Sequence, residues 1–358
     1  MLNSLYEKAI AKRGFMPDFD SETDIEALLN GRWFDREIGE SSDDFTIAAG
    51  DGSFNKKKFL TTNFCAVGAE SIIYDGKIKK IDDSDIFDIG HVSFLDELLG
   101  NYMAIYELKC ALRAIKEYDV DYYMFDGSIL GDLQNAYSRN VKLPDKLRKN
   151  LDDTILNEFE RRLSSNLHGL IFPQIRDTFS LMELPKGDNS NKIEQYNLHL
   201  ASIEKIILLK EILQYRKKII SISKTSSDNS LFHWNIPDIA FLDKNTQKQG
   251  MSIIKNDFKV YEKAPFPYYN DFFKGLTFTI FYVRLQDNKN VLKVELPYKA
   301  SKKEVFDIMR KINVLSIQGY PYLLNRAHND VVITDRNIKE LLKIAKIYET
   351  TNREVMSW

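Results

Sequence analysis

Three acidic residues stand where a fold could gather them around a cation. Asp51 lies in Gly50-Asp51-Gly52-Ser53, which ends the apolar run Phe45 to Ala49, and Asp126 opens Asp126-Gly127-Ser128, which ends the run Val120 to Phe125. Between them, Glu107 shares a helical face with Gly100, Met103, Ala104, Cys110, Ala111 and Ala114, a stripe about 120° wide at about 100° per residue. Each Asp-Gly-Ser triplet alone reads as a turn. Glu107 alone is either an edge carboxylate paired with Lys or Arg, or a buried one that needs a cation. If the two runs are parallel neighbouring strands, both aspartates emerge at one edge of the sheet, and the helix sets Glu107 over it. Three carboxylates gathered there repel one another, and their pKa values rise unless a divalent ion holds them ionised. Hard oxygen ligands suit Mn²⁺ or Mg²⁺ rather than zinc. Two such ions roughly 3.5–4 Å apart would activate a water and stabilise the leaving oxygen of a phosphodiester.

Late in the chain, His328 in Asn325-Arg326-Ala327-His328-Asn329-Asp330 is either a surface histidine or a fourth ligand or proton-handling group. Tyr320, in Gly319-Tyr320-Pro321-Tyr322, is placed to orient it or to contact a phosphate. Candidate nucleic-acid contacts are Lys56 with Lys57 and Lys58, Lys224 at a strand end, and Arg284. The lysine run is equally a solvated hairpin. Tyr268, Tyr269, Phe272 and Phe273 fit base stacking or, more simply, core packing.

The elements that must position these groups follow from patterning. Residues 1–40 form a helical preface, with capping-box spacing at Ser21 to Asp24 and a stop at Gly31. Residues 59–74 are strand-rich, turn at Asp75-Gly76 and return from Ile78. Ser93 to Asp96 opens a helix to about Glu117, again with capping-box spacing. Residues 140–215 carry two amphipathic stretches (Leu151 to Leu163, Ile203 to Leu213) joined by a turn at Lys186 to Asn191, and are expected to project from the sheet as an insertion. Ile219 to Ser223 is a strand ending at Lys224, and Leu276–Leu285 with Val291–Leu296 forms a hairpin. Helices are expected near Lys302–Ile312, Pro321–His328 and Arg336–Tyr348. The predicted class is α/β: a mixed sheet flanked by helices, with a long helical insertion.

A chain of 358 residues, 44% hydrophobic and 28% charged, buries a full core and is not disordered. A net charge of -2 gives no global attraction to nucleic acid, but a local basic groove suffices for phosphate contacts. Cys65 and Cys110 make no disulfide framework and no CxxC pattern; Cys110, on the Glu107 face, is expected to be a buried free thiol, and a reducing cytoplasm is the default expectation. The N-terminus lacks a signal-peptide pattern, and apolar runs fall short of the roughly 18 residues of a membrane span.

Taken together, Gly50-Asp51-Gly52-Ser53, Glu107, Phe125-Asp126-Gly127-Ser128 and Gly319-Tyr320-Pro321 followed by Ala327-His328 resemble the NurA nuclease family of archaea, from about residue 40 to 345. The resemblance implies a ribonuclease H-like domain over residues 41–358. It also implies manganese-dependent DNA cleavage, as a single-strand endonuclease and a 5′ to 3′ exonuclease on single- and double-stranded DNA. Homodimers working with a hexameric HerA-type ATPase in end resection at double-strand breaks would follow. Asp51, Glu107 and Asp126 would then be metal ligands, His328 a further ligand or catalytic group and Tyr320 a supporting residue. Two other readings are open: an actin-like ATPase or phosphotransferase, which also places Asp-Gly turns at strand ends, and a non-catalytic DNA-end adaptor. The actin-like class duplicates its sheet, and no second copy of the pattern follows here; an adaptor has no need of all three acids.

Overall fold

The computed structural model describes residues 3–11, 24–143, 153–178, 190–262, 264 and 266–347. In chain order, α1 (Asn3–Ala11) and α2 (Ile25–Leu29) precede β1 (Trp33–Asp35). Three long strands follow, β2 (Ile47–Lys58), β3 (Thr62–Tyr74) and β4 (Ile78–Gly90), then α3 (Leu95–Tyr118), β5 (Tyr122–Asp126) and α4 (Ile129–Gln134). Helices α5 (Asp153–Ser165), α6 (Phe172–Thr178) and α7 (Ser190–Gln214) lead to β6 (Ile219–Ser223). Next come α8 (Asp238–Asn245), β7 (Gly250–Ser252), β8 (Lys255–Lys259), α9 (Asn270–Lys274), β9 (Thr277–Arg284) and β10 (Leu292–Leu296). Helix α10 (Lys302–Val314), the small hairpin β11 (Ser316–Ile317) and β12 (Tyr320–Pro321), α11 (Tyr322–Val331) and α12 (Asp335–Ile344) complete the described chain.

The strands join in a 10-stranded mixed sheet in the order β1-β7-β9-β10-β6-β5-β2-β3-β4, with β8 beside β9. Strand β5 runs parallel to β2, as the crossover through α3 allows, and to β6, reached through α4 to α7, and β2-β3-β4 is an antiparallel meander. Alternation sorts the side chains between two faces. Ala48, Tyr123, Phe125 and Ile219 pack beneath α3, α5, α6 and α7, whereas Ile47, Ala49, Met124, Ile220 and Ile222 pack against α10 and α11. The result is a sheet sandwiched between helical layers. At the free edge, β4 is mostly exposed and carries Lys79, Lys80, Asp82, Asp83, Asp85 and Asp88, charges that discourage another strand from pairing there.

Several expectations are corrected by packing. The run ending at Gly50 does not stop: β2 continues through Asp51, Gly52 and Ser53 to Lys58, paired residue by residue with β3. A Cβ on Gly50 would lie 2.0 Å from the Tyr123 hydroxyl, and one on Gly52 would lie 2.6 Å from Met103 Cγ of α3. These glycines therefore serve close approach rather than a turn. The preface is not wholly helical, because Trp33 to Asp35 pairs antiparallel with β7. Asp24 does cap α2, accepting from the Ala27 amide at 3.0 Å, and Gly31 takes a positive φ of 71° just past its end; Ser21 to Thr23 lie outside the described residues. The capping box expected at Ser93 is not formed: Phe94 occupies the cap without a side-chain bond, and Asp96 pairs with Lys56 instead. The helices between β5 and β6 do not project. Ile203, Ile206, Ile207 and Leu213 of α7 are buried in the main core with α3. The turn expected at 186–189 lies outside the described residues, and Ser190 already belongs to α7.

Both cysteines are buried and free, and burial pushes each thiol up to about 12. Among the described residues, no helix is long and apolar enough to cross a membrane.

Candidate metal centre

Register places the two aspartates. Ile47 to Gly50 of β2 pair in parallel with Tyr122 to Phe125 of β5, so the next step sets Asp51 beside Asp126 on the same face. At that step β5 ends while β2 continues with β3, leaving a notch in the sheet into which both carboxylates open. Helix α11, whose apolar face holds Leu323, Leu324 and Ala327 against the sheet, presents His328 from the layer above.

Oxygen atoms of Asp51 and Asp126 and a ring nitrogen of His328 all lie within 4.8 Å of one another. His328 Nδ1 is 2.7 Å from Asp51 Oδ2, and the Gly52 amide donates to Asp51 Oδ1 at 2.8 Å. On the other aspartate, Tyr320 Oη and Lys224 Nζ each donate to Asp126 Oδ2 at 3.2 Å. The Lys224 ammonium also stands 4.3 Å over the Tyr320 ring, a cation–π contact that fixes both donors. Burial, and then the Asp126 carboxylate, push the Tyr320 phenol far up, so it remains a protonated donor. Two carboxylates and an imidazole within reach of one point form a donor set that fits Mn²⁺, and less closely Mg²⁺.

Glu107 is not among the three converging ligand atoms, but it is electrostatically part of the site. Burial raises its carboxyl well above the usual range, followed by the charges of Asp51, Asp132 and Asp126. Its side chain still retains partial access to solvent. Asp132, in the first turn of α4, is an acid the sequence reading missed. Its carboxyl is pushed up to about 6 by surrounding protein, with Lys205 opposing and Glu295 adding to the shift, although its side chain reaches water.

The end of β5 that carries Asp126 is anchored from below. Ser128 caps α4 by accepting from the Gly131 amide at 2.9 Å, and its hydroxyl donates to Glu295 at 2.8 and 2.9 Å. Glu295, fully buried on β10, also accepts the Leu130 amide at 3.1 Å and pairs with Lys293 at 3.1 Å; Lys293 in turn reaches Asp228 at 3.3 Å. Such a satisfied buried network holds a strand end in one position. A serine ahead of Ile129 and Leu130 was a legible N-cap signal; Glu295, on an alternating strand far away in sequence, left none.

Of the basic residues expected to meet nucleic acid, only Lys224 is at the notch. Lys56 projects from the opposite face of β2 and pairs with Asp96. Arg284 is a correction. It is 3% exposed and donates to Thr246 O at 2.8 Å, Thr246 Oγ1 at 3.0 Å and the Lys289 carbonyl, so it braces loops and is closed to a phosphate. Phe273 is fully buried, and Tyr268, Tyr269 and Phe272 pack against the same core, Tyr269 donating to Glu160 at 2.7 Å. Stacking on a base is not open to Phe273.

Comparison with known proteins gives a consistent picture. The NurA domain model matches residues 45–333. A curated protein of Methanocaldococcus jannaschii, described as a probable DNA double-strand break repair nuclease NurA, is 29% identical over 88% of this chain and 82% of its own. The DNA double-strand break repair nuclease NurA of Saccharolobus solfataricus is 28% identical over 90% of this chain and 86% of its own. Among solved structures, the NurA nuclease from Sulfolobus solfataricus superposes with a TM-score of 0.73 at 22% identity, covering 97% of each chain. A NurA structure bound to dAMP and manganese superposes with a TM-score of 0.69 at 15% identity, covering 99% of this chain and 100% of that one. At these identities the structural likeness bears on the fold.

Proposed function

The chain belongs to the NurA family, and on that premise we propose that it is a metal-dependent DNA nuclease of double-strand break repair. The observation that carries the reading is the convergence of Asp51, Asp126 and His328 ligand atoms within 4.8 Å at the end of β5. The core topology supports a ribonuclease H-like description: an antiparallel meander, a helix, then a strand parallel to the first of the meander. In that description the catalytic domain spans about 41–358, with the helices of 140–215 inserted between β5 and β6. The preceding segment adds one short strand at the far side of the sheet.

Asp51, Asp126 and His328 would hold manganese, with Glu107 completing the site for a second ion. When bound, such ions lower the pKa of a coordinated water and offset charge on the phosphodiester oxygens. The chain's own residues do the rest. The Gly52 amide and His328 fix the two oxygens of Asp51, and Tyr320 and Lys224 fix Asp126 Oδ2. Lys224, partly exposed beside Asp126, attracts the phosphate backbone. His328, exposed at the rim, would hold the ion through one ring nitrogen, which leaves only the other to carry a proton. Burial and the charges of Asp51, Asp132 and Asp126 raise the Glu107 carboxyl well above its usual range, and a bound cation would oppose that shift.

Activity on single strands and 5′ to 3′ trimming of single- and double-stranded DNA, a homodimer, and a hexameric HerA-type ATPase partner complete the proposal. The decisive measurement is digestion of single-stranded DNA in Mn²⁺ by the wild type and by Asp51→Ala. Rapid digestion by the first and a loss of at least about 100-fold in the second is expected for a metal ligand. Equal digestion refutes the assignment of Asp51. Light scattering in solution should give twice the chain mass, and a monomer at micromolar concentration counts against the dimer.

A further inference from the structure

Beyond the carboxylate notch, on the far side of Tyr320, lies a cleft of about 640 Å³. That size is within the usual range for a small-molecule site, about 300–1,000 Å³. The Tyr320 ring is the wall between the two spaces: its hydroxyl reaches Asp126, and Lys224 lies against its face and lines the cleft as well. The remaining lining comes from the β9–β10 turn, the β11–β12 hairpin and the start of α11.

The chemistry of this lining is the reverse of the notch. It holds Lys224 and Lys289 and no carboxylate, with the carboxamides of Asn290, Gln318 and Asn325 and the half-exposed ring of Tyr322. Its shape is set by backbone. Gln318 and Gly319 both take positive φ, 54° and 75°, the pattern of a tight two-residue hairpin turn. A Cβ on Gly319 would lie 2.7 Å from Lys289 Cβ, so the glycine is what lets the hairpin close against the lysine's turn.

We propose that this cleft seats the nucleotide adjacent to the bond being cut, in a single strand that passes over Tyr320. Lys289 faces its phosphate, Tyr322 offers a ring to its base, and the carboxamides, each both donor and acceptor, bind base edges with little sequence preference. The proposal rests on the nuclease reading and deepens it: Lys289, beside a Lys224 whose ammonium also pairs with Asp126, suits a polyanion, and the Tyr322 ring suits an unpaired base, which a duplex would keep stacked.

The test is fluorescence anisotropy of a short labelled oligodeoxythymidine in EDTA, where nothing is cut, alongside digestion in Mn²⁺. Lys289→Glu should weaken binding about tenfold and lower the slope of log affinity against log salt by about 0.7, the value for one phosphate contact in a single strand. Tyr322→Leu should weaken it about fivefold or more, and that loss should vanish on a strand lacking bases. Lys343→Glu, the same charge change on exposed α12, should bind as the wild type does. All variants should share the wild-type melting temperature, since these side chains reach solvent. If the wild type cuts DNA while Lys289→Glu binds and cuts equally well, or if Lys343→Glu weakens binding as much as Lys289→Glu, the cleft proposal falls alone. If the wild type binds the strand but leaves it intact in Mn²⁺, the nuclease reading falls and takes the cleft with it.

Discussion

Beneath the site, a buried ion pair ties the helices together, and its removal should be costly in a particular pattern. Lys109 of α3, two residues beyond Glu107, has its ammonium 2.7 Å from Glu204 of α7, and both side chains are fully buried. Lys109 also donates to the Gly169 carbonyl, while Glu204 accepts the amides of Ile171 (3.0 and 3.1 Å) and Phe172 (2.8 Å) at the start of α6. Breaking such a pair strands a charge without water, at a typical cost of about 3–5 kcal/mol. Lys109→Met should lie near the low end, about 3 kcal/mol, because two backbone donors still face the carboxylate. Glu204→Leu should lie near 5 kcal/mol or somewhat above, since it strands the ammonium and leaves two amides without acceptors, each worth about 1–3 kcal/mol. The double change removes both charges and leaves the two amides and the Gly169 carbonyl unpaired, so it should cost at least about 3 kcal/mol yet clearly less than the roughly 8 kcal/mol sum of the two single losses. Urea denaturation followed by far-ultraviolet circular dichroism measures all three. A Lys109→Met protein within about 1 kcal/mol of the wild type, or additive losses in the double variant, would refute the claim that these helices are joined through a dry ion pair.

Two further outcomes follow from the residues around the notch. Gly50→Ala puts a methyl group 2.0 Å from the buried Tyr123 hydroxyl and 2.9 Å from the Glu70 carbonyl, so it should destabilise by at least about 1–3 kcal/mol; an unchanged urea midpoint would return Gly50 to a simple turn role. Asp132 binds its proton more tightly folded, at about 6, than at the ordinary 3.8, so its contribution is most favourable below 3.8 and declines as pH rises through 6. Asp132→Asn should therefore gain stability over the wild type at pH 7 but not at pH 3.5, by a margin that solvent at its exposed edge keeps small; parallel stability curves for the two proteins would exclude the shift.

How far the sequence reveals this site depends on which rule dominates at each residue. The adjacency of Asp51 and Asp126 was legible, because two apolar runs flanking one amphipathic helix favour a parallel pair, and a parallel pair ends its strands at one edge. The continuity of β2 was not, because Gly50-Asp51-Gly52-Ser53 has turn chemistry locally, and only the approach of Tyr123 and Met103 explains the glycines. Once β2 is a continuous strand, residues an odd number apart must face opposite sides of the sheet, and Lys56 is excluded from the notch that holds Asp51 without reference to any coordinate. No such rule separates Lys224 from Arg284, since both sit at the end of an apolar strand. Arg284 is buried because its strand lies between β7 and β10 and its guanidinium meets the carbonyls of Thr246 and Lys289, whereas Lys224 follows β6 just where β5 has already ended and the sheet opens. What exposes one cation to a phosphate and closes off the other is the number of strands beside it, which pairing decides and local sequence does not carry.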